Sequence, residues 1–156
     1  MKLEPSTRAD YAFRALIRLA RSDGEWVTAA EITTADTMSR GFLQHVLQDA
    51  QLVGLVTSRS GRSGGYSLAR RPEDITALQI LEAIEGPLLP GVCASGAGPG
   101  HWDEVCPLHW LWTALREKSA EVLGSQTLAD LVEVDRGLEA GTITPPPNSH
   151  RHRHRL

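Results

Sequence analysis

Apolar residues recur along this chain at helical spacing in some stretches and in alternation in others, and the changes mark its elements. Over residues 7–21, Tyr11, Ala12, Ala15, Leu16, Leu19 and Ala20 form one stripe, with Thr7 as a cap and Asp10 in the first turn, where a carboxylate suits the helix dipole. Ser22-Asp23-Gly24-Glu25 reads as a turn, and Trp26-Val27 as a short strand suited to pair with a later hairpin. Thr28 with Glu31 forms a capping box that opens a short helix through Thr34. After a turn over 35–38, Ser39 caps a second helix with Phe42, Leu43, Val46, Leu47 and Ala50 on its apolar face. Its other face carries Arg40, Gln44, His45, Gln48 and Gln51. Gly41 in its first turn is a poor helix former, tolerated near an end or needed for close approach to a ligand. At Gly54 the pattern changes, and Leu55–Ser58 and Tyr66–Leu68 flank the polar loop Arg59–Gly65 as a hairpin.

Helical spacing returns from Ile75 to Glu85, with Ile75, Leu78, Leu81 and Ile84 facing inward and Gly86-Pro87 stopping the helix. Residues 87–105 are rich in Gly and Pro, lack periodicity, and exceed an ordinary connection, so the segment is functional or disordered. It holds Cys93 and leads to Cys106. A long helix from Pro107 or Leu108 to Leu123 is apolar on more than one side, since Trp110 and Trp112 cannot share a face. That predicts burial against a second subunit. A short helix over Leu128–Val134 follows, and from Gly141 onward the chain reads as a disordered basic tail ending in alternating His and Arg.

These elements predict a mostly α fold with a small β-hairpin wing, a winged helix-turn-helix with a long C-terminal dimerisation helix. The divisions are 1–86 for the winged helix-turn-helix, 87–106 for the cysteine-bearing loop, 107–135 for the dimerisation helix and a short C-terminal helix, and 136–156 for the tail. At 156 residues with 41% apolar content, the chain supports one compact domain with appendages. No apolar run is long enough to span a membrane, and the first ten residues lack the succession of a signal peptide, so a cytoplasmic protein is expected. Two cysteines in a reducing compartment then point to free thiols, a redox switch or metal ligands rather than a structural disulfide.

Charge adds a direction to this picture. Residues 1–72 hold ten Lys and Arg against seven Asp and Glu, whereas 73–140 hold three against twelve. The basic excess coincides with the helix-turn-helix, where phosphates demand it. Arg, Gln and His on the second helix suit base edges and phosphates, and Arg59 and Arg62 on a Gly- and Ser-rich hairpin tip suit phosphates or the minor groove. An enzyme is not expected. Ser63-Gly64-Gly65 lacks the lysine and the strand-to-helix setting of a phosphate loop, and Cys106 with His109 has no oxyanion motif beside it.

In this order, the segments ADYAFRALIRLA, SRGFL, SGRSGGYSLAR, ITALQILEAIEGP and CPLH resemble the Rrf-type family of bacterial winged-helix regulators, the group of IscR, NsrR and CymR. The resemblance covers about residues 1–135. It implies a homodimeric transcription factor, usually a repressor, on dyad-symmetric promoter DNA. Ser39, Arg40, Gln44 and His45 would contact DNA from the recognition helix, and Arg59 and Arg62 from the wing. Members that sense iron, nitric oxide or redox state hold an iron–sulfur cluster on three loop cysteines and a fourth ligand. Cys93 and Cys106 match the outer two cysteines, but residues 94–105 contain no third. His109 and Asp10 match the non-cysteine ligands of different members, and His101 lies within the loop. The resemblance thus implies a mixed-ligand site for a two-iron, two-sulfur cluster at Cys93, Cys106, His109 and Asp10. A reversible disulfide, a zinc site with His101 and His109, and a regulator without any cofactor remain as alternatives, as does a winged-helix module that acts through a protein partner rather than through DNA.

Overall fold

The computed structural model describes residues 5–36, 39–61, 63–88 and 107–147. Helix α1 spans Thr7–Ala20 and is capped by Ser6, not Thr7: the Ser6 hydroxyl accepts from the Ala9 amide at 3.2 Å. Its buried stripe is Ala9, Ala12, Ala15, Leu16, Leu19 and Ala20. Tyr11 sits at the edge of that stripe, in edge-to-face contact with Phe42 at 5.2 Å. Helix α2, Ala29–Asp36, is opened by the expected capping box, with the Thr28 amide donating to Glu31 Oε2 at 2.7 Å and the Glu31 amide to Thr28 Oγ1 at 3.3 Å.

Helix α3, Arg40–Leu52, buries Leu43, Val46, Leu47 and Ala50 against α1, α2 and the following helix. Strands β1, Val56–Arg59, and β2, Gly65–Leu68, form an antiparallel hairpin with Val56 opposite Leu68 and Arg59 opposite Gly65. Val27 pairs with Tyr66 on the other side of β2, as the sequence pattern predicts. A single 3-10 turn, Pro72–Asp74, precedes α4, Ala77–Glu85. Ile75 lies ahead of α4, and Thr76 is its cap, in a reciprocal box with Gln79. The buried face of α4 is Ala77, Ile80 and Ile84, while Leu78 and Leu81, expected inside, are half-buried.

Helix α5, His109–Ser125, has no buried residue. Trp112, Leu115 and Leu123 are half-buried, and α5 packs on α4. Trp110, Leu111 and Val122 stand 67%, 59% and 63% exposed, leaving this helix with an uncovered apolar side. Helix α6 runs Leu128–Ala140, six residues beyond the expected Val134 end. It buries Leu128 and Val132, contacts α1, and is tied there by Arg21, which bonds Asp135 at 2.6 Å and Glu139 at 2.7 Å. Beyond α6 the chain turns at Gly141, and the Thr142 and Ile143 amides donate back to the Gly137 carbonyl. The start of the expected disordered tail is therefore folded against α6. No described helix is long and apolar enough to cross a membrane.

Candidate nucleic-acid interface

Docking of α3 by its apolar face turns the opposite face outward. Ser39, Arg40, Gln44, His45, Gln48 and Gln51 are all exposed. Ser39 is in extended conformation at the N-cap, its hydroxyl makes no cap hydrogen bond, and the residue is exposed at the positive end of the helix. A shallow groove of about 460 Å³ runs between α3 and the wing, lined by Gly41, Gln44, His45, Gln48, Gln51 and Tyr66. Asp49, the carboxylate on this helix, is paired with Arg8 of α1. That pairing offsets a charge that would otherwise repel phosphates.

The wing is clamped near its tip. The Val27 amide donates to the Tyr66 carbonyl at 2.9 Å, and the Tyr66 amide returns the bond at 2.8 Å. Gly65 permits this, because a Cβ there would lie 2.5 Å from the Val27 carbonyl oxygen, and Gly64 permits the turn, because a Cβ there would collide with the Arg59 carbonyl. Arg59 is exposed but ordered by its neighbours. Its guanidinium carbon lies 4.6 Å over the Trp26 ring, and one amino group donates to the Ser63 carbonyl at 2.6 Å. At the base of the hairpin, Arg71 instead pairs with Asp74 at 3.0 Å, and this guanidinium holds the carboxyl below its usual range. Arg62 lies outside the described residues.

Trp26, Tyr66 and Arg8 belong to this surface and were not expected there. Only the strand reading of Trp26-Val27 hinted at the first, because pairing with the wing brings its neighbour to the wing as well. Of the expected cluster ligands, Cys93 and Cys106 lie outside the described residues, as does His101. Asp10 is half-exposed in the first turn of α1 and bonds Arg14 at 2.9 Å. His109 is the first residue of α5, exposed, with its ring edge-on to Trp110 at 6.2 Å. Among the described residues, no group of three His, Cys, Asp or Glu side chains is placed to hold a metal.

Residues 5–134 match the profile of a family described as Rrf2, iron-dependent transcriptional regulator. The chain belongs to the Rrf2 family. Its relatives include CymR of Bacillus subtilis, 32% identical over 133 residues, a match covering 85% of this chain and 91% of the relative. IscR of Cereibacter sphaeroides is 32% identical over 139 residues, covering 85% and 88%. The solved structure of B. subtilis CymR, described as the global cysteine regulator, superposes with a TM-score of 0.71 over 85% of this chain and 98% of that one, at 31% identity. IscR of T. potens gives 0.69 over 94% and 96%, at 27% identity. Like these Rrf2-family neighbours, the present chain is a winged-helix transcriptional regulator and not an enzyme.

Proposed function

We propose that this Rrf2-family chain is a homodimeric repressor that reads dyad-symmetric promoter DNA with α3 and the wing. The observation that carries the reading is the exposed polar face of α3 beside the clamped hairpin. Gln44, Gln48 and Gln51 offer amides matched to adenine, and Arg40 a fork matched to guanine. Ser39 and the α3 N-terminus suit a phosphate, and Arg59 with Arg62 suits the narrow groove beside the site. Two copies related by a dyad would read half-sites about one helical turn apart. The second copy has a place to sit in the uncovered Trp110, Leu111 and Val122 side of α5. Selection of bound duplexes from a randomised pool tests this reading: a palindromic consensus lost in Arg40→Ala supports it, and no enrichment refutes it.

The signal is proposed to enter through the segment between α4 and α5. Cys93 and Cys106 would hold an iron–sulfur cluster of the two-iron, two-sulfur type, with His109 and the Asp10 of a second copy completing the set. Thiolates and imidazole are suitable donors for iron in such clusters. His109 stands exposed only three residues after Cys106. Asp10 would give up little, because its pair with Arg14 is at the surface and such helix pairs contribute about 0.3–0.5 kcal/mol. When bound, the cluster supplies a centre that responds to electrons, iron supply or nitric oxide. A second reading is a thiol switch at Cys93 and Cys106 without a cluster, supported by the likeness to CymR of Staphylococcus aureus, which has been solved in an oxidized form. An absorption spectrum with iron and sulfide counts on anaerobically purified protein separates them. Matched iron and sulfide, lost in Cys93→Ala, supports the cluster. A colourless protein whose two thiols oxidise to a disulfide supports the switch.

A further inference from the structure

Trp26 does not line the groove beside α3, yet it touches the arginine at the end of β1. We infer that Trp26 is the positioning residue for this wing arginine: the indole holds the Arg59 guanidinium ready for DNA. The inference rests on the DNA-binding reading above and deepens it. Arg59 stands opposite Gly65, and Val27 pairs with Tyr66 on the far side of β2. Arg59 and Trp26 therefore flank β2 on opposite sides, and Gly65, beside Arg59, has no side chain to stand between them. Across that gap the guanidinium reaches Trp26, 4.6 Å above the ring centre and within the range of a cation–π contact. One amino group is fixed on the Ser63 carbonyl at 2.6 Å. The indole covers one face, the wing turn holds one corner, and the remaining N–H donors stay on an exposed residue.

An arginine on a loop of glycines and serines ordinarily loses its rotamer freedom only when it meets its ligand, which weakens binding. Here two contacts have removed that freedom in the free protein. Trp is the best aromatic platform for such a contact, and Trp26 is half-buried and placed by the main-chain bonds of Val27. Trp110 and Trp112 lie in α5, away from the wing in sequence.

The test uses full-length protein and a fluorescein-labelled duplex carrying the sequence the wild-type protein selects from a randomised pool, read by anisotropy across a salt series. Trp26→Ala is expected to weaken binding by about two- to fivefold per half-site, the size of an exposed cation–π contact. The dependence on salt should keep its slope, because the phosphate contact still forms. Trp26→Phe should retain most of the affinity, and Trp26→Leu, which keeps bulk without a π-face, should lose it while melting like the wild type. Arg59→Ala should flatten the salt slope by about one, and adding Trp26→Ala to it should change nothing more. Wild-type affinity in Trp26→Ala, or an equal loss when Arg59 is already absent, would overturn the inference and leave the DNA reading intact. If Arg59→Ala and Arg40→Ala are themselves without effect, the DNA reading of this face fails first.

Discussion

Gly65→Ala adds one methyl group where β2 passes closest to the segment before α2. At Gly65 φ is +156°, and the new Cβ would stand 2.5 Å from the Val27 carbonyl oxygen and 2.8 Å from its carbon. Both are main-chain atoms that cannot rotate aside, so β2 and Val27 must part. Parting breaks the reciprocal bonds of 2.9 and 2.8 Å between Val27 and Tyr66. At about 1 kcal/mol net for each hydrogen bond, the loss is about 2 kcal/mol. Residual backbone strain would add on the order of 1 kcal/mol, but the exposed hairpin can bend outward and shed most of it. For a chain of this length, the expected fall in Tm is about 4–8 °C. Circular dichroism melts at fixed protomer concentration measure it, with anisotropy on the selected duplex as a second readout, because the wing arginine moves with β2. Gly41→Ala is the control. A Cβ there meets nothing within 4 Å, in a helix, so its melt should stay level or rise. A Gly65→Ala protein that melts and binds like the wild type would refute the close approach.

Leu128, fully buried where α6 meets the core, should cost about 2–5 kcal/mol when truncated to Ala, against little for the partly exposed Leu138; equal urea midpoints for the two variants would contradict the docking of α6. A charge on the open side of α5, as in Leu111→Glu, should halve the mass seen by light scattering and weaken operator binding, and an unchanged mass would remove α5 from the dimer interface. In acid, the two carboxylate capping boxes should fail together. The Thr28 hydroxyl and amide hold Glu31 below the usual carboxylate range, and the Thr127 amide and hydroxyl do the same for Asp130. A folded value below the unfolded one means the contribution is complete above the unfolded value and disappears as pH falls through the folded one. Urea midpoints should therefore hold from neutrality down to the ordinary carboxylate range and drop below it, less steeply in Glu31→Gln; an identical drop in that variant would exclude the box as the cause.

The amphipathic elements were legible because each buries a single face. The stripe of α1 and the two-faced pattern of α3 follow from spacing alone, and the Thr28–Glu31 box follows from two residues. Helix α4 was harder to read because it is apolar nearly all round. Its Ala77, Ile80 and Ile84 enter the core, whereas Leu78 lies toward α5, 4.0 Å from where a Gly124 side chain would begin. Periodicity cannot rank two apolar faces when two neighbours claim them. Helix α6 runs past the expected Val134 to Ala140. Gly137 looks like a breaker in sequence, but Ile143 folds over it, and a Cβ there would come within 2.5 Å of that side chain. At the candidate interface, the polar face of α3 was legible as a face, and the wing arginines as a loop tip. The stack of Arg59 on Trp26 was not, because it joins residues brought together only by strand pairing around β2.

The junction between α5 and α6 sets how α5 can move. The Ala77 amide bonds the Gln126 carbonyl at 2.8 Å, and the Leu128 amide bonds the Ile75 carbonyl at 2.7 Å, fixing the chain just past the C-terminal end of α5 to the root of α4. That end is anchored. The other end begins at His109, three residues from Cys106. Seventeen residues of helix make a rigid arm of about 25 Å. A swing of about 10° at the anchored end carries the start of the helix through about 4 Å. A displacement at the His109 end therefore corresponds to only a small rotation at the junction with α4, which packs directly on α1 and α3.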